Sequence, residues 1–94
     1  MDDSDFRSGC PVTTISLETT PESEPLSQAC SDAFGSWINA VANIFIECGL
    51  SKSAAQRLSL VFISSFEGAF ILARAQRNTK PFDVVGDACL ELLP

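Results

Sequence analysis

The chain has 94 residues and a net charge of −6, with six basic residues, twelve acidic residues and neither histidine nor tyrosine. This length suits one small domain, which buries about 60% of the surface of its unfolded chain. Because the basic residues form no phosphate-neutralising patch, we expect no nucleic-acid binding by this chain alone. A hydrophobic fraction of 46% without sustained alternation of β-branched residues predicts an all-helical fold.

The N-terminal stretch divides into a tail and a short helix. Residues 1–8 are acidic and polar, which predicts a flexible tail. A helix is predicted from residue 9 to about residue 20, because Pro11 suits a first helical turn and Val12 and Ile15 provide an apolar face. Residues 9–94 are therefore expected to form a single helical domain.

The second predicted helix runs from about Pro25 to Cys48. Gly49 is expected to end it in a left-handed conformation, followed by Leu50. Its apolar stripe consists of Leu26, Ala29, Cys30, Ala33, Phe34, Trp37, Val41, Ile44, Phe45 and Cys48. The opposite side is polar, so the pattern predicts an amphipathic helix with one solvated face.

The central predicted helix runs from Ser51 to Asn78, contains no proline and stays apolar for about seven turns. Its predicted core face consists of Leu58, Val61, Phe62, Phe66, Ala69, Leu72 and Ala73. The opposite face consists of Leu60, Ile63, Glu67, Ile71 and Arg74. Because so short a chain has few other helices, we expect another molecule to cover this second face.

Two alternatives remain for the second face. It is either a solvated surface with scattered aliphatic side chains or part of a membrane span. A span is disfavoured because Glu67 interrupts the run, and because Arg57 and Arg74 bracket only about sixteen residues where roughly 20 are needed. We therefore expect no membrane insertion.

The last predicted helix begins near Pro81, whose ring suits a first helical turn, with Asp83 close behind. Its apolar face consists of Phe82, Val85, Ala88, Cys89, Leu92 and Leu93. Together the predicted elements give a small bundle of about four helices.

The sequence contains no pattern typical of catalysis or metal binding. Histidine is absent, the glycines stand singly, and the four cysteines show no CxxC spacing. We expect no enzymatic activity, no metal and no cofactor, and we interpret the cysteines as reduced core residues. No signal peptide or anchor is recognisable, so the cytoplasm is the expected location.

Two further features allow a structural or a functional interpretation. The aromatic residues of the second and central helices could line an apolar ligand pocket, or they could simply fill the core. Glu67 and Arg74 lie on one face of the central helix, too far apart for direct contact. In an antiparallel symmetric helix pair they could meet across subunits, or they could be independent surface charges.

Several segments together resemble the C-terminal domain of TetR-family transcriptional regulators of the lincomycin-resistance-repressor, LmrA/YxaF-like type. These are GCPVTTISLE at Gly9–Glu18, the Trp37 helix ending in ECGL at Glu47–Leu50, EGAFILARAQR at Glu67–Arg77 and PFD at Pro81–Asp83. The resemblance extends over nearly the whole chain.

The resemblance implies a homodimer whose subunits meet through their last two long helices, an inducer pocket inside each helical domain, and an N-terminal helix-turn-helix that binds an operator. The implied dimer interface contains Leu60, Ile63, Glu67, Ile71, Arg74, Val85 and Leu92. The implied ligand-binding residues are Phe34, Trp37, Val41, Phe62 and Phe66. No helix-turn-helix pattern precedes Gly9, so we expect the regulatory half of such a repressor.

The expected function is therefore effector binding and dimerisation in a TetR-like repressor, without its DNA-binding domain. A small apolar effector would change the angle between subunits and thereby the spacing of the DNA-binding heads. The alternative is a stand-alone helical interaction module whose apolar face binds a different protein.

Overall fold

A computed structural model of the chain describes residues 24–94, which form three α-helices and no strand. The helices are α1 (Glu24–Glu47), α2 (Lys52–Gln76) and α3 (Lys80–Leu90). The all-helical prediction is confirmed for this range. The predicted tail at residues 1–8 and the predicted helix at residues 9–20 lie outside the described residues, so the count of four helices stays a prediction.

α1 ends in a Schellman turn at Gly49, as the sequence predicts. Gly49 has a φ of 112°, a conformation that suits glycine because it has no Cβ. The Leu50 N–H donates to the Phe45 carbonyl at 3.1 Å, and the Gly49 N–H donates to the Ile46 carbonyl at 3.0 Å. These two bonds satisfy carbonyl groups that the end of α1 would otherwise leave without partners.

Side chains and backbone groups cap both ends of α2. At its start, the Ser51 Oγ accepts a hydrogen bond from the Ala54 N–H at 3.2 Å. At its end, Arg77 adopts a left-handed conformation with φ 52° and ψ 48°, and the N–H groups of Arg77 and Asn78 both donate to the Ala73 carbonyl. An arginine thus occupies a position that glycine usually takes.

The turn between α2 and α3 consists of residues 77–79. The Asn78 side-chain oxygen accepts a hydrogen bond from the Lys80 N–H at 2.8 Å. Pro81 lies in the first turn of α3, where its missing N–H leaves no helical bond unmade, and Asp83 follows within that turn. The predicted start of the last helix is therefore confirmed.

α2 contacts both other helices, and α1 and α3 pack on the same side of it. Several of the buried residues of α1 and α2 are small. The buried small residues are Ala42 of α1 and Ala55, Ser59, Ala69 and Ala73 of α2. Fully buried Ser59 donates its hydroxyl to the backbone carbonyl of Ile38 in α1. Small side chains at these positions allow the two helix backbones to approach closely.

Several positions that the sequence predicts on apolar faces are exposed, among them Leu26, Ala29 and Ile44 of α1 and Ala88 of α3. Val61 and Leu72 of α2 are more than half exposed, and Cys48 is exposed as well. Val61 and Leu72 lie at the margin of the predicted core face, whereas both neighbouring helices pack on the side of Ala55 and Ser59. Cys48 is exposed because α1 ends one residue before it, so its side chain belongs to the turn.

The resulting arrangement is flat. Its extents are 39 × 33 × 17 Å and its radius of gyration is 14.7 Å, whereas a compact domain of this size has a radius of about 11–12 Å. Because α1 and α3 pack on one side of α2, large aliphatic residues on its opposite side stay exposed within residues 24–94.

Within the described range one helix, α2, is long and apolar enough to cross a membrane, judged by length and composition alone. A core helix of a soluble protein passes the same test when it is mostly buried, whereas 17% of the apolar window of α2 is buried within the chain. However, α2 carries Glu67 and Arg74, which a bilayer core would not solvate. The apolar character of α2 therefore does not by itself place the chain in a membrane.

The left-handed end of α2 generates a stability prediction. Arg77→Gly should unfold with a free energy about 1 kcal/mol higher than Arg77→Ala, because alanine keeps a Cβ in the left-handed conformation and glycine does not. Arg77→Ala is the matched control, since both variants remove the arginine side chain. The measurement is urea denaturation at one fixed protein concentration. Equal stabilities would contradict the assigned conformation of Arg77.

Candidate functional site

Five phenylalanines form one cluster that joins all three helices. They are Phe45 of α1, Phe62, Phe66 and Phe70 of α2, and Phe82 of α3. Ring centroids are 5.0 Å apart between Phe70 and Phe82 and 6.2 Å apart between Phe45 and Phe62. These distances are typical of attractive edge-to-face and offset aromatic pairs. The cluster holds α1 and α3 on the same side of α2.

The cluster includes two rings that the predicted ligand site omits, Phe70 and Phe82. A signal for Phe70 is present in the sequence, because Phe62, Phe66 and Phe70 follow one another at intervals of four residues and so lie along one side of a helix. Phe82 contacts both Phe66 and Phe70 from α3. Its contact depends on how α3 packs, and helical periodicity does not determine that packing.

The predicted ligand-binding residues fall into two groups. Phe62 and Phe66 belong to the phenylalanine cluster, whereas Phe34 and Trp37 form an edge-to-face pair of their own at 5.5 Å on α1. Within residues 24–94, no ring contact connects this pair to the cluster. Val41 is half-buried, one helical turn beyond Trp37, and Trp37 itself is exposed.

The predicted dimer-interface residues lie on the outer side of α2 and along α3. Leu60 is 54% exposed and Ile71 is 56% exposed, although both are large aliphatic residues. The remaining residues are the half-buried Ile63, Glu67 and Val85 and the exposed Arg74 and Leu92. Val61 and Leu72 extend the same exposed apolar surface around α2. We call the exposed aliphatic set of Leu60, Val61, Ile71 and Leu72 the outer face.

Two spaces between the helices could hold a small molecule. The larger, the α2–α3 groove, has a volume of about 440 Å³. Its walls include Gly68 and Leu72 of α2 and Val84 and Val85 of α3, and the polar residues Gln76, Asn78 and Lys80 lie toward one end.

The smaller space, which we call the Phe45 cavity, has a volume of about 220 Å³. It is lined by Phe45, Phe62, Gly86, Cys89, Leu90 and Leu93. The Cys89 side chain is buried, and burial raises the pKa of the Cys89 thiol. The thiol is therefore protonated near neutral pH, where it is a poor nucleophile.

The described residues offer little for metal or acid–base chemistry. No group of three or more potential metal ligands occurs within residues 24–94. The buried polar side chain in this range is Ser59, whose hydroxyl is bonded to Ile38. The candidate sites are consequently apolar surfaces and spaces, which suit binding and association.

Residues 1–88 match the family of LmrA/YxaF-like transcriptional regulators, in the part described as the C-terminal domain. The chain belongs to this TetR-like family. The resemblance carried by GCP, EGAFILARAQR and PFD is thereby confirmed. The family consists of transcriptional regulators and is typically not enzymatic.

Individual relatives agree with this assignment. The chain is 34% identical over 86 residues to an uncharacterized HTH-type transcriptional regulator of Mycobacterium tuberculosis strain H37Rv, covering 86% of this chain and 44% of that protein. It is 31% identical over 85 residues to the HTH-type transcriptional regulator LmrA of Bacillus subtilis, covering 90% of this chain and 45% of LmrA. The chain thus spans less than half the length of these relatives. No solved structure matches it.

The phenylalanine cluster generates a second stability prediction. Phe66→Ala should lower the free energy of unfolding by about 3 kcal/mol, because Phe66 contacts three other rings and the remaining helices cannot close the gap. Phe34→Ala is the matched control, since Phe34 is also half-buried but contacts one ring, and it should cost about 1 kcal/mol. Urea denaturation measures both. Equal losses would mean that the cluster is not the centre of the fold.

Proposed function

We propose that this chain is the effector-binding and dimerisation domain of a TetR-like transcriptional repressor that acts in the cytoplasm. The observation that carries the proposal is the outer face of α2, where four large aliphatic residues are each more than half exposed. Exposed large aliphatic residues that share one side of a helix favour association with another molecule. Membership in a family of transcriptional regulators supports the cellular role.

A second copy of the same chain is the partner that suits this face. In a two-fold symmetric pair the same patch is used twice, so the outer face would pack against its own copy. Val85 of α3 and Leu92, which follows α3, would widen the contact toward the roughly 800 Å² per subunit of a standard interface.

The charged residues of the face are compatible with a symmetric antiparallel contact. Glu67 lies near the middle of α2 and Arg74 lies seven residues further on, so each could approach the opposite charge of the partner subunit when the helices run antiparallel. An aliphatic surface with one acid and one base at such a spacing favours one register over others. We propose this register for the dimer.

DNA binding is proposed to belong to a different part of the repressor. The relatives are named HTH-type regulators, and this chain aligns to less than half of each. The chain carries a net charge of −6, which opposes binding to phosphate backbones. Its proposed contribution is to hold two DNA-binding heads at a spacing that an effector can change.

The effector is proposed to be a small apolar molecule. The aromatic side chains of α1 and α2 provide apolar surface of the kind that lines ligand pockets. The site at Phe34, Trp37, Val41, Phe62 and Phe66 stays a prediction, and Trp37 offers a fluorescence signal for it because it is the single tryptophan of the chain.

A second candidate function is a helical interaction module whose outer face binds a different protein. The same exposed aliphatic residues favour it, since they specify an apolar partner but not its identity. The two functions predict different oligomeric states for the purified chain. A repressor domain is a dimer by itself, whereas an interaction module is a monomer until its partner is added.

The dimer proposal predicts the effect of a charge on the outer face. Ile71→Glu should raise the dimer dissociation constant at least thirtyfold, because burying an unpaired carboxylate costs about 2–5 kcal/mol. The fold should tolerate the change, since Ile71 is 56% exposed in the single chain. Asn43→Glu is the matched control, because it adds the same charge at an exposed α1 position outside the face. Sedimentation equilibrium measures the dissociation constants.

The proposal would be overturned by a wild-type chain that remains monomeric at concentrations far above micromolar. It would also be overturned if Ile71→Glu were as dimeric as Asn43→Glu. Stable partition of the wild-type chain into lipid vesicles would instead assign the outer face of α2 to a membrane.

A separate prediction concerns nucleic acid. The 94-residue chain should not shift an operator DNA fragment at physiological salt, because it has no cluster of basic residues to replace the counterions of DNA. Electrophoretic mobility shift at 50 mM and 200 mM salt, which are typical comparison points, measures this. A sequence-specific shift that weakens with salt would contradict the assignment of DNA binding to a different part of the repressor.

A further inference from the structure

The Phe45 cavity lies where all three helices meet. Phe45 comes from the end of α1, Phe62 from α2, and Gly86 and Cys89 from α3. Its remaining walls, Leu90 and Leu93, are aliphatic. The side chains around this space therefore offer aromatic rings, aliphatic groups and one thiol, and none of them carries a charge.

The absence of a side chain at Gly86 helps to create this space. A Cβ built at Gly86 meets no atom within 4 Å, so the glycine is not needed for close helix packing. Glycine within a helix costs about 1 kcal/mol relative to alanine. A glycine that the backbone does not require, placed beside two phenylalanine rings, leaves room next to those rings that a larger residue would fill.

The size and lining of the cavity determine the class of ligand. An apolar cavity of about 150 Å³ stays dry and can hold one benzene molecule. At about 220 Å³ the Phe45 cavity has room for one ring with a small substituent or for a fused pair of rings. Leu90 is 65% exposed, so the cavity reaches solvent beside it and a ligand can enter without unfolding of the domain.

We propose that the Phe45 cavity is a binding site for small, uncharged aromatic molecules of one or two rings. The ring of the ligand lies beside Phe45 and Phe62, where aromatic rings attract one another in edge-to-face or offset geometry. A charged ligand is excluded, because no lining residue could compensate a buried charge.

A ligand here would connect two helices that otherwise meet mainly through α2. α1 packs on α2 and α3 packs on α2, and the cavity lies between the end of α1 and the C-terminal half of α3. A ring that fills this space fixes the position of α3 against α1. Val85 of α3 and Leu92 just after α3 belong to the proposed dimer interface. This regulatory consequence therefore rests on the proposed dimer, whereas the binding itself does not.

The binding test uses indole and toluene as probes and benzoate as the charged counterpart. Isothermal titration calorimetry on the 94-residue chain should detect one site per chain for the uncharged probes and none for benzoate. The uncharged probes should also raise the melting temperature with increasing concentration, because they bind the folded state.

Two glycine variants show where the probe binds. Gly86→Met places a side chain into the cavity and should weaken indole binding at least tenfold. Gly35→Met is the matched control, since Gly35 is also a helical glycine whose added Cβ meets no atom within 4 Å, and it should change indole binding less than twofold. If Gly86→Met folds poorly, Gly86→Ala adds only one methyl group and should still weaken binding more than Gly35→Ala.

The thiols provide an independent readout in the unaltered chain. Bound indole should slow alkylation of the buried Cys89 at least threefold and leave alkylation of the exposed Cys48 unchanged, as followed by peptide mapping. Slowing at Cys89 alone locates the ligand beside α3.

The outcomes separate the two proposals. No binding of indole or toluene, or equal binding by Gly86→Met and Gly35→Met, overturns the cavity site and leaves the dimer untouched. Binding at the site without any change in the dimer dissociation constant, measured by sedimentation with saturating indole, overturns the regulatory consequence alone. A monomeric wild-type chain that still binds indole overturns the dimer and retains the cavity site.

Discussion

The packing of α1 on α2 through small residues is the constraint on which the rest of this domain depends. Ser59 is fully buried and donates its hydroxyl to the Ile38 carbonyl, which brings two helix backbones close together. A larger residue at Ser59 or Ala55 would separate the helices and shift Phe45 away from Phe62. Because α3 also packs on this side of α2, joined by the phenylalanine cluster, the opposite side of α2 receives no cover from residues 24–94. The close contact and the uncovered outer face are two results of one arrangement.

An aliphatic helix surface without cover can be explained by lipid or by protein. By length and composition α2 could cross a bilayer, but it carries Glu67 and Arg74, and the chain belongs to a family of transcriptional regulators. The proposed symmetric association would account for both observations, because it would remove the aliphatic residues from water and allow an acid to meet a base.

Local signals in the sequence were sufficient to predict where the helices end, but not which of their side chains are buried. Gly49 and Pro81 each act through their own backbone, so their positions predict where helices stop and start whatever packs nearby. Burial depends on neighbours that are distant in sequence. Val61 and Leu72 have the periodicity of core residues but lie exposed, while Ser59 looks like a surface residue and is fully buried. The family, in contrast, could be recognised from short segments, because these place glycine or proline at helix ends next to a characteristic run of side chains.

The order of the contacts along the chain has a consequence for how the domain forms. The main helix contacts join sequence neighbours, α1 with α2 and α2 with α3, across turns of a few residues. Chains dominated by such local contacts pay little loop-closure entropy and fold within microseconds to milliseconds. In the proposed dimer the slow step is then the encounter of two already helical chains, whose rate increases with protein concentration. A cell that makes little of this protein would hold it for a time as separate subunits with their aliphatic faces in water.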